Sequence, residues 1–306
     1  MARIYDKAYF GSKVVPIDDA ALNITTSAVL YGLSVYTVFP VCVTQDGLAA
    51  FRLSDHFKRL IESARIVGID TFEQEWTYEK FLVAVKETTA ANSIRQDAFV
   101  RASVHVSERV PGTRSRGLAT TLSMFVYEAL PIIPQDGTRL KTSVWRRVPD
   151  YAIPSRAKVN GAYVNSVLGK QDALDSGYDD CIFLDAEGHV CELSAANIFI
   201  VRDGMLVTPP TSGDILEGIN RRTILELAKN MEIPAVERTI DLTELYVAEE
   251  AFACGTSSFI APIAEIDKRR IGSGAIGPIT TRIRQQHTAA LHGSDPAYHK
   301  WLTILS

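Results

Sequence analysis

Along the first half of the chain apolar and polar residues alternate with the period of strands that bury one face. "RIYDKAYFGSKVVPI" (3–17) predicts a hairpin turning at Gly11 and Ser12, and "SVYTVFPVCVTQDGLAAFRL" (34–53) a second, turning at Asp46 and Gly47. The spacing then becomes helical: Phe57, Leu60, Ile61 and Ala64 form one apolar stripe behind Ser54, which reads as the N-cap. A further helix is expected from Thr77 to Ala91, followed by the strands "AFVRASVHV" (98–106) and "TTLSMFVYEAL" (120–130). Residues 1–130 thus read as an N-terminal α/β domain.

"PIIPQDGTR" (131–139) is rich in proline and glycine and reads as an interdomain linker. From 140 to 306 strands are interleaved with helices, with hairpins expected at Glu187-Gly188 and Asp203-Gly204. Residues 158 to about 176 contain no proline and place Ala162, Val167, Leu168 and Ala173 at helical spacing, so a helix is expected to begin at Lys158. The fold class is α+β in two domains.

Composition narrows the functions. With 306 residues, 46% of them hydrophobic, the chain can bury a substantial core. The net charge of −4 and the scattered Lys and Arg exclude the basic stripe that nucleic acids require. The apolar runs fall far short of the ~20 residues of a membrane span, and the N-terminus lacks a secretory pattern, so no membrane partner and a cytoplasmic location are expected. Cys42, Cys181, Cys191 and Cys254 form no C-x-x-C pair and the six histidines no H-x-x-x-H pair. Buried free thiols and no metal are the expectation.

Four segments carry candidate chemistry. A lysine at a helix entrance, Lys158, would be partly desolvated and close to backbone N–H groups, both of which favour a nucleophilic amine; a solvated surface lysine is the plainer alternative. Glu192 stands in the apolar "VCELSAANIF", where a carboxylate needs a cationic partner. Gly218 precedes a well-formed helix, leaving the N–H groups of Ile219 and Asn220 to bind an anion or simply to start the helix. "CGTSSF" places Thr256 and Ser257 in a tight turn that presents hydroxyl and N–H donors.

Together these parts resemble a pyridoxal 5'-phosphate site. "AVLYGLSVYTVF", "FRLSDHFKRL", "RAKVNGAYVNSVLGKQDALDSGYDDCIFLDAEGHVCELSAANIFIV", "ILEGINRRTILELA" and "CGTSSFIAPI" follow the order and spacing of class IV aminotransferases over nearly the whole chain. The resemblance is to the two-domain fold type IV (D-amino acid aminotransferase-like) family, with a smaller N-terminal and a larger C-terminal domain, and within it to branched-chain amino acid aminotransferases. It implies that Lys158 is the catalytic lysine joined to the cofactor, that Tyr163 contacts the ring oxygen and that Glu192 pairs with the ring nitrogen. Arg59, Ile219, Asn220, Thr256 and Ser257 would hold the phosphate. Substrate would meet Tyr31, Tyr36, Phe99 and Arg101.

The implied reaction is ping-pong transfer of an amino group between a branched-chain or other hydrophobic amino acid and a 2-keto acid such as 2-oxoglutarate or pyruvate, in a homodimer or larger homo-oligomer. The chain departs from the usual branched-chain pattern at Val38, Pro40 and Phe99. Those departures keep open an (R)-selective amine or D-amino acid transaminase, and an aminodeoxychorismate-type lyase is a further alternative.

Overall fold

The computed structural model describes residues 2–109 and 112–306 and divides into two compact units. The first comprises 1–130, 157–161 and 289–306; the second comprises 131–156 and 162–288. The boundary at 130/131 coincides with the end of the expected N-terminal domain. The expected C-terminal domain, 140–306, does not stay whole: it cedes two segments to the first unit, which leaves the second no larger than the first. Of the expected linker, Thr138 and Arg139 already belong to a strand.

The first unit contains β1 (Ile4–Phe10), β2 (Lys13–Pro16), α1 (Ser27–Tyr31), β3 (Ser34–Thr44), β4 (Gly47–Phe51), α2 (Leu53–Ile66), α3 (Asp70–Glu75), α4 (Tyr78–Ala91), β5 (Ala98–Val106) and β6 (Thr120–Glu128). Its sheet is antiparallel, in the order C-terminal strand (Leu302–Ile304), β4, β3, β5, β6, β1, β2. Gly11 turns the first hairpin at φ +69°. The second turns one residue earlier than expected, on Gln45 and Asp46, because Gly47 already pairs with Thr44.

Thr77 caps α4 by accepting the Lys80 N–H. Ser54 caps nothing: α2 starts at Leu53, after Arg52 in the left-handed region (φ 49°), so the serine lies inside the first turn. In β3 the side chains alternate. Thr37 and Phe39 point to α2, where they meet His56, and Phe39 also packs edge-on against Phe81 of α4. Tyr36 and Val38 therefore face the other way.

The second unit contains β7 (Thr138–Arg146), α5 (Tyr163–Asp175), β8 (Asp180–Leu184), β9 (Val190–Leu193), β10 (Asn197–Arg202), β11 (Met205–Thr208), α6 (Ile219–Asn230), β12 (Ala235–Glu237), α7 (Leu242–Leu245), β13 (Glu250–Gly255), β14 (Phe259–Ile266), β15 (Arg269–Arg270) and α8 (Pro278–Leu291), whose last turn belongs to the first unit. The sheet runs β12-β11-β10-β13-β14-β7-β8-β9, with β15 paired to β14. It is mixed because β7–α5–β8 and β11–α6–β12 are crossovers between parallel strands, whereas Asp203-Gly204 (φ 50° and 70°) turns a tight antiparallel hairpin. Alternation in β10 sends Phe199 to one core, stacked 5.2 Å from Phe252 and packed with Ile224 and Ile283, and Ile198 and Ile200 to another with Leu245 and Ile263.

All four cysteines are free and buried, and burial pushes their thiols up from the usual range. Among the described residues no helix is long and apolar enough to cross a membrane.

Candidate active site

In the first unit, 157–161 lies along the start of β3. Val159 forms an antiparallel bridge with Val35, the Tyr36 N–H donates to the Lys158 carbonyl at 3.0 Å, and the Asn160 N–H donates to the Ser34 carbonyl at 2.8 Å. Gly32, at φ +65°, permits the approach: a Cβ there would stand 2.9 Å from the Gly161 Cα. From the other side Ser63 Oγ of α2 accepts the Lys158 N–H at 3.1 Å. The expected helix begins only at Tyr163, so Lys158 is held by a strand bridge and a serine rather than by a helix entrance. Lys158 therefore lies five residues before the helix start, outside the first turn whose N–H groups were expected to tune its amine.

Lys158 Nζ lies 4.9 Å from the centroid of the Tyr36 ring, and the Arg101 guanidinium lies 3.6 Å over the same ring. Arg101 Nη2 donates to Asn160 Oδ1 at 2.7 Å, and Asn160 Nδ2 donates to Ser34 Oγ at 3.0 Å. Register brings the departures from the family pattern to the same place, since Val38 pairs with Arg101 and Pro40 with Phe99. Phe99 is fully buried against Tyr127. Tyr31 is not part of this cluster: it ends α1 half-exposed, with no ring contact or side-chain hydrogen bond among the described residues.

Arg59, one helical turn before Ser63 on α2, reaches Thr37 Oγ1 at 3.5 Å, the outer limit of a hydrogen bond, and Thr37 is shared with His56 Nδ1 at 2.7 Å. His105, on the Arg101 face of β5, is bonded to Ser123 at 2.9 Å. Burial first, and then the Arg101 charge, lower its pKa to about 4, so it is neutral at pH 7.

In the second unit Glu192 is 5% exposed. Its Oε1 meets Arg147 Nη2 at 2.7 Å, while Oε2 accepts from Asn197 Nδ2 at 2.9 Å and from the Leu216 N–H at 3.2 Å. The cation that a buried carboxylate demands is therefore supplied by the protein. Sequence reasoning had assigned that charge to the cofactor ring alone and overlooked Arg147. Tyr163 opens α5, half-buried.

The same asparagine links Glu192 to the expected phosphate cradle. Asn197 Nδ2 also donates to the Leu216 carbonyl, and a Cβ on Gly218 would fall 2.0 Å from Asn197 Oδ1. Gly218 thus has to be glycine for α6 to begin here. Ile219 and Asn220 open α6, which has no side-chain cap, so their N–H groups have no intrahelical acceptor. Thr256 and Ser257 lie in the three-residue turn joining β13 to β14, made possible by Phe259 in the left-handed region (φ 52°). Ser258 Oγ is buried there without a hydrogen-bond partner, and a Cβ on Gly255 would lie 2.8 Å from it. An uncapped helix start, an orphaned hydroxyl and a buried carboxylate paired with Arg147 fit a phosphorylated pyridine cofactor. Besides Arg147, sequence reasoning missed Ser63, Asn160, Asn197 and Ser258.

A family model described as Amino-transferase class IV matches residues 35–266. The probable branched-chain-amino-acid aminotransferase of Aquifex aeolicus (strain VF5) is 35% identical over 302 residues, covering 97% of this chain and 96% of the relative. The crystal structure of the branched-chain aminotransferase of Thermoproteus uzoniensis with norvaline matches with a TM-score of 0.93 at 34% identity, over 99% of this chain and 100% of that one. A T.th. branched-chain amino acid aminotransferase complexed with N-(5'-phosphopyridoxyl)-L-glutamate matches at 0.91 and 31%, over 99% of each chain. Family model, sequence and fold agree across the chain's length, and the protein belongs to the class IV aminotransferases, transaminases that work with pyridoxal 5'-phosphate.

Proposed function

We propose that this transaminase takes its amino group from branched-chain and other hydrophobic amino acids and passes it to a 2-keto acid such as 2-oxoglutarate or pyruvate. The observation that carries this reading is the ring of Tyr36, over which both the Arg101 guanidinium and the Lys158 amine lie. Arg101 is aimed by Asn160 and offers a fixed fork to a substrate carboxylate, while Val38 and Phe99 beside it suit an aliphatic side chain. The branched-chain preference is supported by the names of the relatives.

Pyridoxal 5'-phosphate supplies, when bound, an aldehyde that takes the amino group and a ring that accepts the electron pair left when the substrate Cα loses its proton. Lys158 would hold the cofactor and move the proton from the substrate Cα. Glu192, held in place by Arg147, Asn197 and the Leu216 N–H, would hold a proton on the ring nitrogen, with Tyr163 at the ring oxygen. Arg59, Ile219, Asn220, Thr256 and Ser257 would bind the phosphate. Because one site serves donor and acceptor in turn, the kinetics are ping-pong.

The enzyme works as a homodimer or larger homo-oligomer, supported by the apolar residues Val144, Trp145, Val164, Val167 and Leu168, each at least 39% exposed on β7 and α5. It works in the cytoplasm, supported by four free thiols.

A second reading, transfer from (R)-amines or D-amino acids, is favoured by the clustering of Val38, Pro40 and Phe99 around Arg101. Half-reactions with L-leucine, D-alanine and (R)-1-phenylethylamine, followed by the cofactor's absorption, separate the two. Arg101→Ala should cut kcat/KM for L-leucine ~10- to 100-fold, as the loss of ~1.5 to 3 kcal/mol of charge-assisted hydrogen bonding implies, and spare simple amines. A wild type that reacts readily with the amine and hardly with L-leucine would overturn the branched-chain assignment.

A further inference from the structure

Away from this chemistry, three residues distant in sequence converge within the first unit. Cys42 of β3, Asp97 just before β5 and His292 just after α8 place a sulfur, a carboxylate oxygen and an imidazole nitrogen all within 4.8 Å of one another. His292 Nε2 is 2.7 Å from Asp97 Oδ2, and Asp97 Oδ1 is fixed by the Val43 N–H at 3.0 Å. Cys42 is 1% exposed, whereas the side chains of Asp97 and His292 are 38% and 37% exposed.

We infer that Cys42, Asp97 and His292 form a mononuclear site for a borderline-soft divalent cation of the zinc type. The donor set argues for the class of ion. One thiolate, one imidazole and one carboxylate suit tetrahedral Zn²⁺ and not Ca²⁺ or Mg²⁺, which prefer oxygen alone. Charge argues likewise: a thiolate and a carboxylate with a neutral imidazole balance two positive charges, the thiol proton leaving to solvent on binding. The half-exposed side of the site leaves the fourth position to water. A bound ion would fasten β3, the start of β5 and the end of α8 at one point, a structural clamp independent of transamination. The simpler arrangement, a His292–Asp97 ion pair beside an uninvolved thiol, predicts no metal affinity.

The test titrates chelator-treated holoenzyme with Co²⁺, read at wavelengths longer than the cofactor's bands, and with Zn²⁺ by equilibrium dialysis. Expected are one equivalent bound, tetrahedral Co²⁺ bands that Zn²⁺ displaces, and a higher melting temperature with metal. Cys42→Ser, Asp97→Asn and His292→Ala should each lower Zn²⁺ affinity at least ~10-fold, the loss that even outer-shell changes produce at metal sites, with transamination unchanged. Absence of stoichiometric binding by the wild type, or binding that survives both Cys42→Ser and His292→Ala undiminished, would overturn the site. Should one variant fold poorly, the other two still decide the matter.

Discussion

Replacing Arg147 by Met puts the buried electrostatics of the second unit to a direct test. The ion pair with Glu192 is 2.7 Å long, and its side chains are 14% and 7% exposed. Removing one partner of such a pair destabilises by about 3–5 kcal/mol, because a buried charge is left behind. Here Asn197 Nδ2 and the Leu216 N–H still bond Oε2, so the lower end, about 3 kcal/mol, is expected. Adding Glu192→Gln removes the stranded charge and should return all but about 1 kcal/mol, so the coupling in the double-mutant cycle is about 2 kcal/mol plus whatever Glu192→Gln costs alone. The assay is urea unfolding of cofactor-free protein at fixed concentration, so that ligand affinity does not enter the result. A loss below about 1 kcal/mol for Arg147→Met, or strictly additive substitutions, would refute the idea that Arg147 neutralises Glu192.

Lys158→Ala should abolish turnover and the cofactor's lysine-bound absorption band. Lys170→Ala should keep both but lower stability by about 1–3 kcal/mol, since Lys170 Nζ lies 3.6 Å from Asp180, which is 1% exposed; equal losses of activity would contradict this division. Gly32→Ala combines a left-handed backbone with a 2.9 Å clash against Gly161 and should destabilise by about 2–4 kcal/mol while weakening cofactor retention, both read from thermal melts of apo and holo protein. His105 has a folded-state pKa lowered to about 4 from 6.5, so the folded state binds fewer protons than the unfolded one between those values. Its contribution is therefore present at neutral pH and lost as pH falls from about 6.5 toward 4, by at most about 3 kcal/mol. His105→Gln should flatten that slope, and parallel wild-type and variant curves would count against it.

What the sequence made legible was local. Gly11 and Asp203-Gly204 force their turns by backbone conformation alone, and Thr77 caps α4 with a neighbour three residues away, so each could be read in place. Glu192 was legible too, because a carboxylate in an apolar run needs a partner wherever the chain goes. The misreadings came from long-range contacts. Apolar spacing after Lys158 gave the right helix, but its start is set by Val159 on Val35 and Gly161 against Gly32, more than a hundred residues earlier. Ser54 has a cap's chemistry, yet Arg52 turns the chain first. Arg147 hid in "VWRRV"; the one available signal was alternation, which sends adjacent arginines to opposite faces and so makes one of them a candidate for burial.

The strand Leu302–Ile304, paired to β4, has a consequence for how the chain is made. During synthesis the first residues of this sheet emerge early, yet its β4 edge stays open until residues 302–304 have followed, and the segment with Lys158 joins only midway. An open edge on a nascent chain is a template for pairing with other chains. Truncation by a few C-terminal residues should therefore expose the N-terminal sheet to aggregation, and an isolated fragment 1–130 would carry the same defect permanently. The unit that carries Lys158 is complete only once residues 302–304 have been made.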